Sequence, residues 1–237
     1  MSVKTVNHNN PDPTLQKHAR RRLLVRVASR HLVEPTDVFL FPGMLGQDAA
    51  LIRQTWPTVP ILGIERSDVV LDQMDMTVFG GPGMEFYGYH FTPFLAQTGK
   101  EPAPLRVVSD SGKIVPNFTH GRAMTTRPIA CADGGTIKKP CPVSDEVARA
   151  MNFRRFDLAY LDFVKTCDDE TIQNLRDFLG NRVQERFVIA IANSPPRRTS
   201  QRNRFGEYEA VAKSFGAAMH RRDYKDSSAM NFAILVR

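Results

Sequence analysis

Five residues in this sequence stand directly beyond, or just after, short apolar runs, where side chains or bare backbone can meet a ligand. Gly43 and Gly46 follow Val38-Phe39-Leu40-Phe41, and Glu65 follows Val59-Pro60-Ile61-Leu62-Gly63-Ile64. Asp162 follows Phe156-Asp157-Leu158-Ala159-Tyr160-Leu161, and Asn193 follows Phe187-Val188-Ile189-Ala190-Ile191-Ala192. A carboxylate leaving a strand, such as Glu65, can accept both hydroxyls of a ribose. The pair Gly43-x-x-Gly46 lets backbone approach a ligand closely, with helix N–H groups behind it. Each feature also has a plain structural use. Glycine suits any tight strand-to-helix turn, and Glu65 could cap a helix or end an exposed strand. The G-x-G-x-x-G fingerprint is absent, which argues against a nicotinamide or flavin enzyme. G-x-x-x-x-G-K-[ST] is absent too, which argues against a nucleotide hydrolase of that class.

The elements that must position these residues can be read from the same pattern. Runs that are apolar throughout are expected as strands buried on both faces of a parallel sheet. Thr14 offers a cap to a helix running to about Leu32, with Arg22, Arg26 and Arg30 on one side and Leu23, Leu24, Val27 and Ala28 on the other. A solvated face is the simple reading of that stripe. Val38–Phe41, a helix over about Gln47 to Trp56, and Val59–Ile64 form the strand, glycine turn, helix, strand unit of nucleotide-binding folds. Residues 80–142 break the pattern. They hold a glycine loop, an aromatic cluster (Phe86, Tyr87, Tyr89, Phe91, Phe94) and two possible hairpins, Leu105 to Val115 and Ile129 to Ile137. Beyond them, Ser144 caps an expected helix, and strands Phe156–Leu161 and Phe187–Ala192 flank a helix opened by Asp168-Asp169. A helix near Glu207 to Phe215 and a closing strand, Met230 to Val236, complete the chain. Strands alternating with helices predict an α/β fold, a doubly wound and mostly parallel sheet. In such a sheet ligands bind beyond the C-terminal strand ends, so residues from four separate places are expected along one rim.

The layout of these residues resembles the class I, Rossmann-like S-adenosylmethionine-dependent methyltransferases over most of residues 36–237. That resemblance implies a seven-stranded sheet with an antiparallel last strand, here Met230 to Val236. It implies S-adenosylmethionine as cofactor, with Gly43 and Gly46 at the methionine part and Glu65 on the ribose. Asp162 matches the residue at the end of strand four, beside the methyl group. Asp110 is a counterpart of the acidic residue near the adenine only if Leu105 to Val108 is the third strand. One departure is clear. The family has an acidic residue ending strand one and then G-x-G-x-G, where this chain has Phe41-Pro42-Gly43-Met44-Leu45-Gly46. A second likeness is to amino-methyltransferases with a polar-Pro-Pro-aromatic motif that holds a flipped base. Asn193-Ser194-Pro195-Pro196 has its first part, with Arg197 where the aromatic would stand. In this reading Asn193 joins Asp162 in the transfer site and faces the acceptor.

Charge adds a bias toward polyanions. Lys and Arg number 32 against 25 Asp and Glu, for a formal charge of +7, which favours phosphate-rich partners through counterion release. Arg197, Arg198, Arg202 and Arg204 lie in one expected loop after the Phe187 strand and would suit a nucleic-acid backbone; a solvated loop is the alternative. Three cysteines without C-x-x-C spacing suggest a reducing, cytoplasmic compartment. The sequence asks for no metal. Neither a signal peptide nor a membrane span is expected. The expected organisation is a tail and basic helix over 1–34 and one methyltransferase-type domain over 35–237, with an insertion or lid at about 80–142. Two functions remain open. One is methyl transfer to nucleic acid. The other is a catalytically inactive relative, such as a viral nucleic-acid-binding or assembly subunit in a protein complex.

Overall fold

The computed structural model describes residues 15–41, 46–65, 83–88, 107–108, 114–115, 120–121, 141–142, 154–194, 206–222 and 231–237. In chain order the main elements are α1 (Leu15–His31), β1 (Val38–Leu40), α2 (Gln47–Thr55), β2 (Ile61–Glu65), β3 (Met84–Gly88) and β4 (Phe156–Thr166). They continue with α3 (Asp169–Asn181), β5 (Val183–Ser194), α4 (Glu207–Ser214), β6 (Ala218–Arg222) and β7 (Asn231–Val236). All seven strands join one sheet in the order β6-β7-β5-β4-β1-β2-β3. The pairs β4–β5, β4–β1, β1–β2 and β2–β3 are parallel. β7 runs antiparallel to both β5 and β6. The strand order reverses between β1 and β4, the place where open α/β sheets bind ligands.

Alternation along the strands divides the core in two. Val38, Leu40, Leu158, Tyr160, Val188, Ala190, Phe232 and Ile234 face Leu24 and Ala28 of α1 and Ala49 and Ile52 of α2. Phe39, Ala159, Leu161, Ile189, Ile191 and Leu235 face Ile172, Leu175 and Phe178 of α3 and Tyr208 and Val211 of α4. Both faces of the sheet are covered, which is why its strands read as continuous apolar runs. Helix α3 begins where expected because the Asp168 carboxylate accepts the Thr171 N–H at 2.8 Å, satisfying one of the first-turn donors.

Helix α1 is tied down along its length. The Arg186 guanidinium donates to the His31 carbonyl at its C-terminal end. Just beyond, Val33 adopts a left-handed conformation (φ 67°), and its carbonyl accepts the Trp56 indole N–H at 3.3 Å. A β-branched residue in that region is held there by its surroundings.

Three expectations need correction or extension. The third strand of the sheet is Met84–Gly88, beside β2. Val107–Val108 instead pairs antiparallel with Ile114–Val115 in a separate ladder, as the first proposed hairpin requires. The condition that would have made Asp110 the adenine residue is therefore not met. β6 also escaped the sequence pattern, because a strand paired only to β7 at the sheet edge need not be apolar on both faces. The tail over 1–13, the Ser144 helix, the Ile129 to Ile137 hairpin and the arginine loop lie outside the described residues.

Candidate functional site

The register brings two of the expected residues onto one row. Gly63 of β2 is level with Leu40 of β1, and Leu40 is level with Tyr160 of β4. Two residues further on, Glu65 and Asp162 stand at the same height on either side of β1, roughly 10 Å apart by ordinary strand spacing. β1 has already ended at Leu40. Phe41 still donates its N–H to the Tyr160 carbonyl at 3.4 Å, and the residue of this segment level with Glu65 and Asp162, at the reversal of strand order, lies outside the described ones. The chain leaves β1 through the glycine turn and returns as α2, whose N-cap is Gly46 in the left-handed region (φ 53°). Only glycine adopts that conformation without strain, so this glycine is required by its backbone. Gly43 and the side chain of Glu65 lie outside what is described.

Asp162 is half-buried, and it does not end its strand as expected. β4 continues to Thr166, but its register with β5 shifts between Phe163 and Thr166. A bulge just beyond a carboxylate re-aims the chain at the rim, a common feature beside active sites.

Beneath this rim lies a group of charged residues that the sequence reading did not single out. The Arg21 guanidinium donates from Nε to Asp48 Oδ1 at 2.6 Å and from Nη2 to Oδ2 at 3.4 Å. Its Nη1 donates to Gln47 Oε1 at 2.7 Å. Gln47 and Asp48 are the first two residues of α2, immediately after Gly46, so this fork fixes the start of α2 against α1. Burial is the largest influence and works against the charge on Arg21, yet the Asp48 carboxylate, with Tyr160 and Asp162 adding to it, raises the Arg21 pKa. Asp48 in the first helical turn also complements the α2 dipole. Next to it, Arg20 lies 5.7 Å from the centroid of the Phe232 ring, and Tyr160 meets the same ring edge-on at 6.5 Å. Burial pushes the Tyr160 hydroxyl well above its ordinary pKa, with Asp162 and Asp48 adding to the shift. Tyr160 is therefore a neutral hydrogen-bonding group throughout the physiological range.

Asn193 occupies a different place from the one expected. It is fully buried, on the α3/α4 side of the sheet, and its Oδ1 accepts the Tyr208 hydroxyl at 2.6 Å. Burial, with Cys167 nearby, raises the Tyr208 pKa as well. Asn193 anchors α4 to β5 through this bond. Phe41, which stands where the expected family has an acid, packs edge-on against Phe39 at 5.7 Å and Phe163 at 5.6 Å. Arg197, Arg198, Arg202 and Arg204 follow the C-terminal end of β5 in sequence and lie outside the described residues.

The signal for Arg20 and Arg21 was present but ambiguous. In Arg20-Arg21-Arg22 only the helical period decides which side chains turn inward, and Arg22 is the exposed one. No described helix is long and apolar enough to cross a membrane.

No protein-family model and no curated sequence matches this chain. Solved structures do. A proposed O-methyltransferase from Klebsiella pneumoniae superposes with a TM-score of 0.52 at 11% identity, covering 95% of this chain and 80% of that one. The N-methyltransferase NodS from Bradyrhizobium japonicum gives a TM-score of 0.48 at 9% identity, with 97% and 98% covered. The strand order, the antiparallel β7 and the likeness to the first of these structures give this chain the Rossmann-like fold of the class I methyltransferases.

Proposed function

We propose that the C-terminal rim between β2 and β4 binds S-adenosylmethionine and that the chain transfers its methyl group to nucleic acid. The observation that carries this reading is the row formed by Glu65 and Asp162 on either side of β1, with the left-handed Gly46 opening the helix that follows. Those residues fit a ligand with a ribose at one end and positive charge at the other. Glu65 would take the ribose, the turn at Gly43 and Gly46 the amino-acid part, and Asp162 the charged region beside the transferred group. The cofactor supplies a methyl group already activated on sulfur, so the chain's own work is positioning and water exclusion. Arg21, through Asp48 and Gln47, holds the start of α2 in place. The neutral Tyr160 offers a hydrogen bond without competing charge. The basic composition and the run Arg197, Arg198, Arg202 and Arg204 support a phosphate-bearing acceptor.

Phe41 favours a second reading. An aromatic residue in place of the acid that ends strand one removes a contact to the cofactor's amino group, as expected of a domain that binds nucleic acid without catalysis. Isothermal titration of the full chain with S-adenosylmethionine separates the two. Saturable binding is expected. D162N should weaken it tenfold or more, the effect of losing one charge-assisted contact of about 1.5–3 kcal/mol. Absence of heat, and of any shift in melting temperature, at millimolar cofactor would remove the enzymatic reading.

A further inference from the structure

Helix α1 carries a second feature, on its outer side. Arg22, Arg26 and Arg30 are all exposed, and the helix Leu15–His31 contains no acidic residue. Among the described residues none of the three joins an ion pair. Like charges four apart destabilise a helix by a few tenths of a kcal/mol per pair, so the row costs stability that no neighbouring acid offsets. The inner side, with Leu24 and Ala28 buried, is fixed to the sheet. Arg21 pins the helix before the stripe begins, and His31 and Val33 pin it at the C-terminal end. The stripe is therefore rigid. At a rise of 1.5 Å per residue the guanidinium groups originate about 6 Å apart along the axis, close to the spacing of successive phosphates in an extended strand.

The stripe also has a direction. Arg22 follows Arg21, which is locked to the first turn of α2 at the rim. Arg30 lies at the other end, beside His31 and the Arg186 contact near the start of β5. We propose that the exposed face of α1 is a track for the phosphate backbone of a single-stranded nucleic acid, leading to the rim between β2 and β4. A membrane surface fits less well. An interfacial helix needs its apolar side free to enter lipid, whereas the apolar side of α1 is used against the sheet. The assignment rests on the proposed function only for what happens at the end of the track; binding along α1 needs no methyl transfer.

The test uses the full chain without cofactor and a fluorescein-labelled single-stranded RNA of about 20 nucleotides, followed by fluorescence anisotropy between about 50 and 200 mM salt. The wild type should bind saturably. The triple variant R22Q/R26Q/R30Q should bind at least tenfold more weakly, with the slope of log K against log salt reduced by about 2, near 0.7 for each lost phosphate contact. Its melting temperature should be equal to or slightly above the wild-type value, as relief of like-charge repulsion requires, and its S-adenosylmethionine titration should stay at the wild-type value. R26E alone should also weaken binding, which keeps the test open if the triple variant folds poorly. R176Q/K213Q removes exposed charges from α3 and α4 on the other face, and should change affinity less than twofold. The track is overturned if the triple variant binds like wild type, or if R176Q/K213Q loses as much. It is also overturned if anionic vesicles bind and the RNA does not, or if duplex of the same length competes better than the single strand. Stripe-dependent RNA binding without cofactor binding would leave the track standing and remove the methyltransferase reading; the reverse result would remove the track alone.

Discussion

The two ends of the sheet treat their polar residues differently. At the N-terminal edge they close on one another. The Asp157 carboxylate accepts the Thr36 N–H at 2.7 Å, the Thr36 hydroxyl at 2.9 Å and the Asp37 N–H at 3.2 Å. Arg154 donates from Nε to Asp37 at 2.8 Å, and Gln184 ties Thr36 to the Arg155 carbonyl. These bonds join the chain before β1 to β4 and β5. At the C-terminal edge, Arg21 and Asp48 pair below the rim, and the half-buried Asp162 acts electrostatically on Arg21 and Tyr160. Hydrogen bonding that saturates itself serves the fold. A half-buried carboxylate that perturbs buried neighbours costs desolvation and is common where a ligand binds. The contrast teaches which edge to perturb for stability and which for binding.

The largest effect should come from the charges below the rim. D48A leaves Arg21 buried without its carboxylate and should cost about 3–5 kcal/mol, measured by denaturant unfolding. The double replacement R21M/D48L should recover most of it, since paired apolar residues avoid the uncompensated charge. A cost below about 1 kcal/mol for D48A would mean that water reaches the pair. At the opposite edge D157A should cost about 2–3 kcal/mol by leaving its backbone donors unsatisfied, with S-adenosylmethionine affinity unchanged in the folded protein. If affinity fell together with stability, the two edges would not be independent.

The smallest effect concerns the buried tyrosines and appears only in alkali. Tyr160 and Tyr208 both have raised pKa values in the folded state, so the unfolded chain releases those protons first. Their contribution to stability is complete below the unfolded value of about 10 and is lost as pH rises toward the folded values, by up to about 1.4 kcal/mol per pH unit for each tyrosine. Y208F should flatten that decline when melting temperature is followed from pH 8 to 11. An unchanged slope would show that Tyr208 ionises freely.

Much of the fold could be read from the sequence because both faces of the sheet are covered, so each central strand contains an apolar run, although β4 continues past Asp162 to Thr166. The same rule misled at Asn193. A polar residue ending such a run looks like a rim residue, and nothing nearby in the chain announces that Tyr208, on the following helix, takes its oxygen. Arg21 and Asp48 were hidden for a similar reason: each is ordinary in its own helix, and only the packing of α1 on α2 makes them partners. Gly46 was legible as a turn, but not as a left-handed cap. The position of β3 was obscured by the aromatic-rich composition around Met84–Gly88, and that of β6 by its edge location.

The placement of β7 has a consequence for how the molecule is made. β6 is synthesised before β7, yet among the described residues β7 is its partner in the sheet, and β7 is in turn held to β5 up to the Phe187 and Arg237 backbones, which exchange hydrogen bonds. While the ribosome is still translating the segment between β6 and β7, β6 has no edge to add to, and β5 shows an open side rich in Val, Ile and Ala. The hairpin must then dock as a unit, so one half of the sheet closes only after β7 has left the exit tunnel. Until that moment the nascent chain carries an exposed apolar strand edge, the kind of surface that chaperones bind and that aggregation exploits.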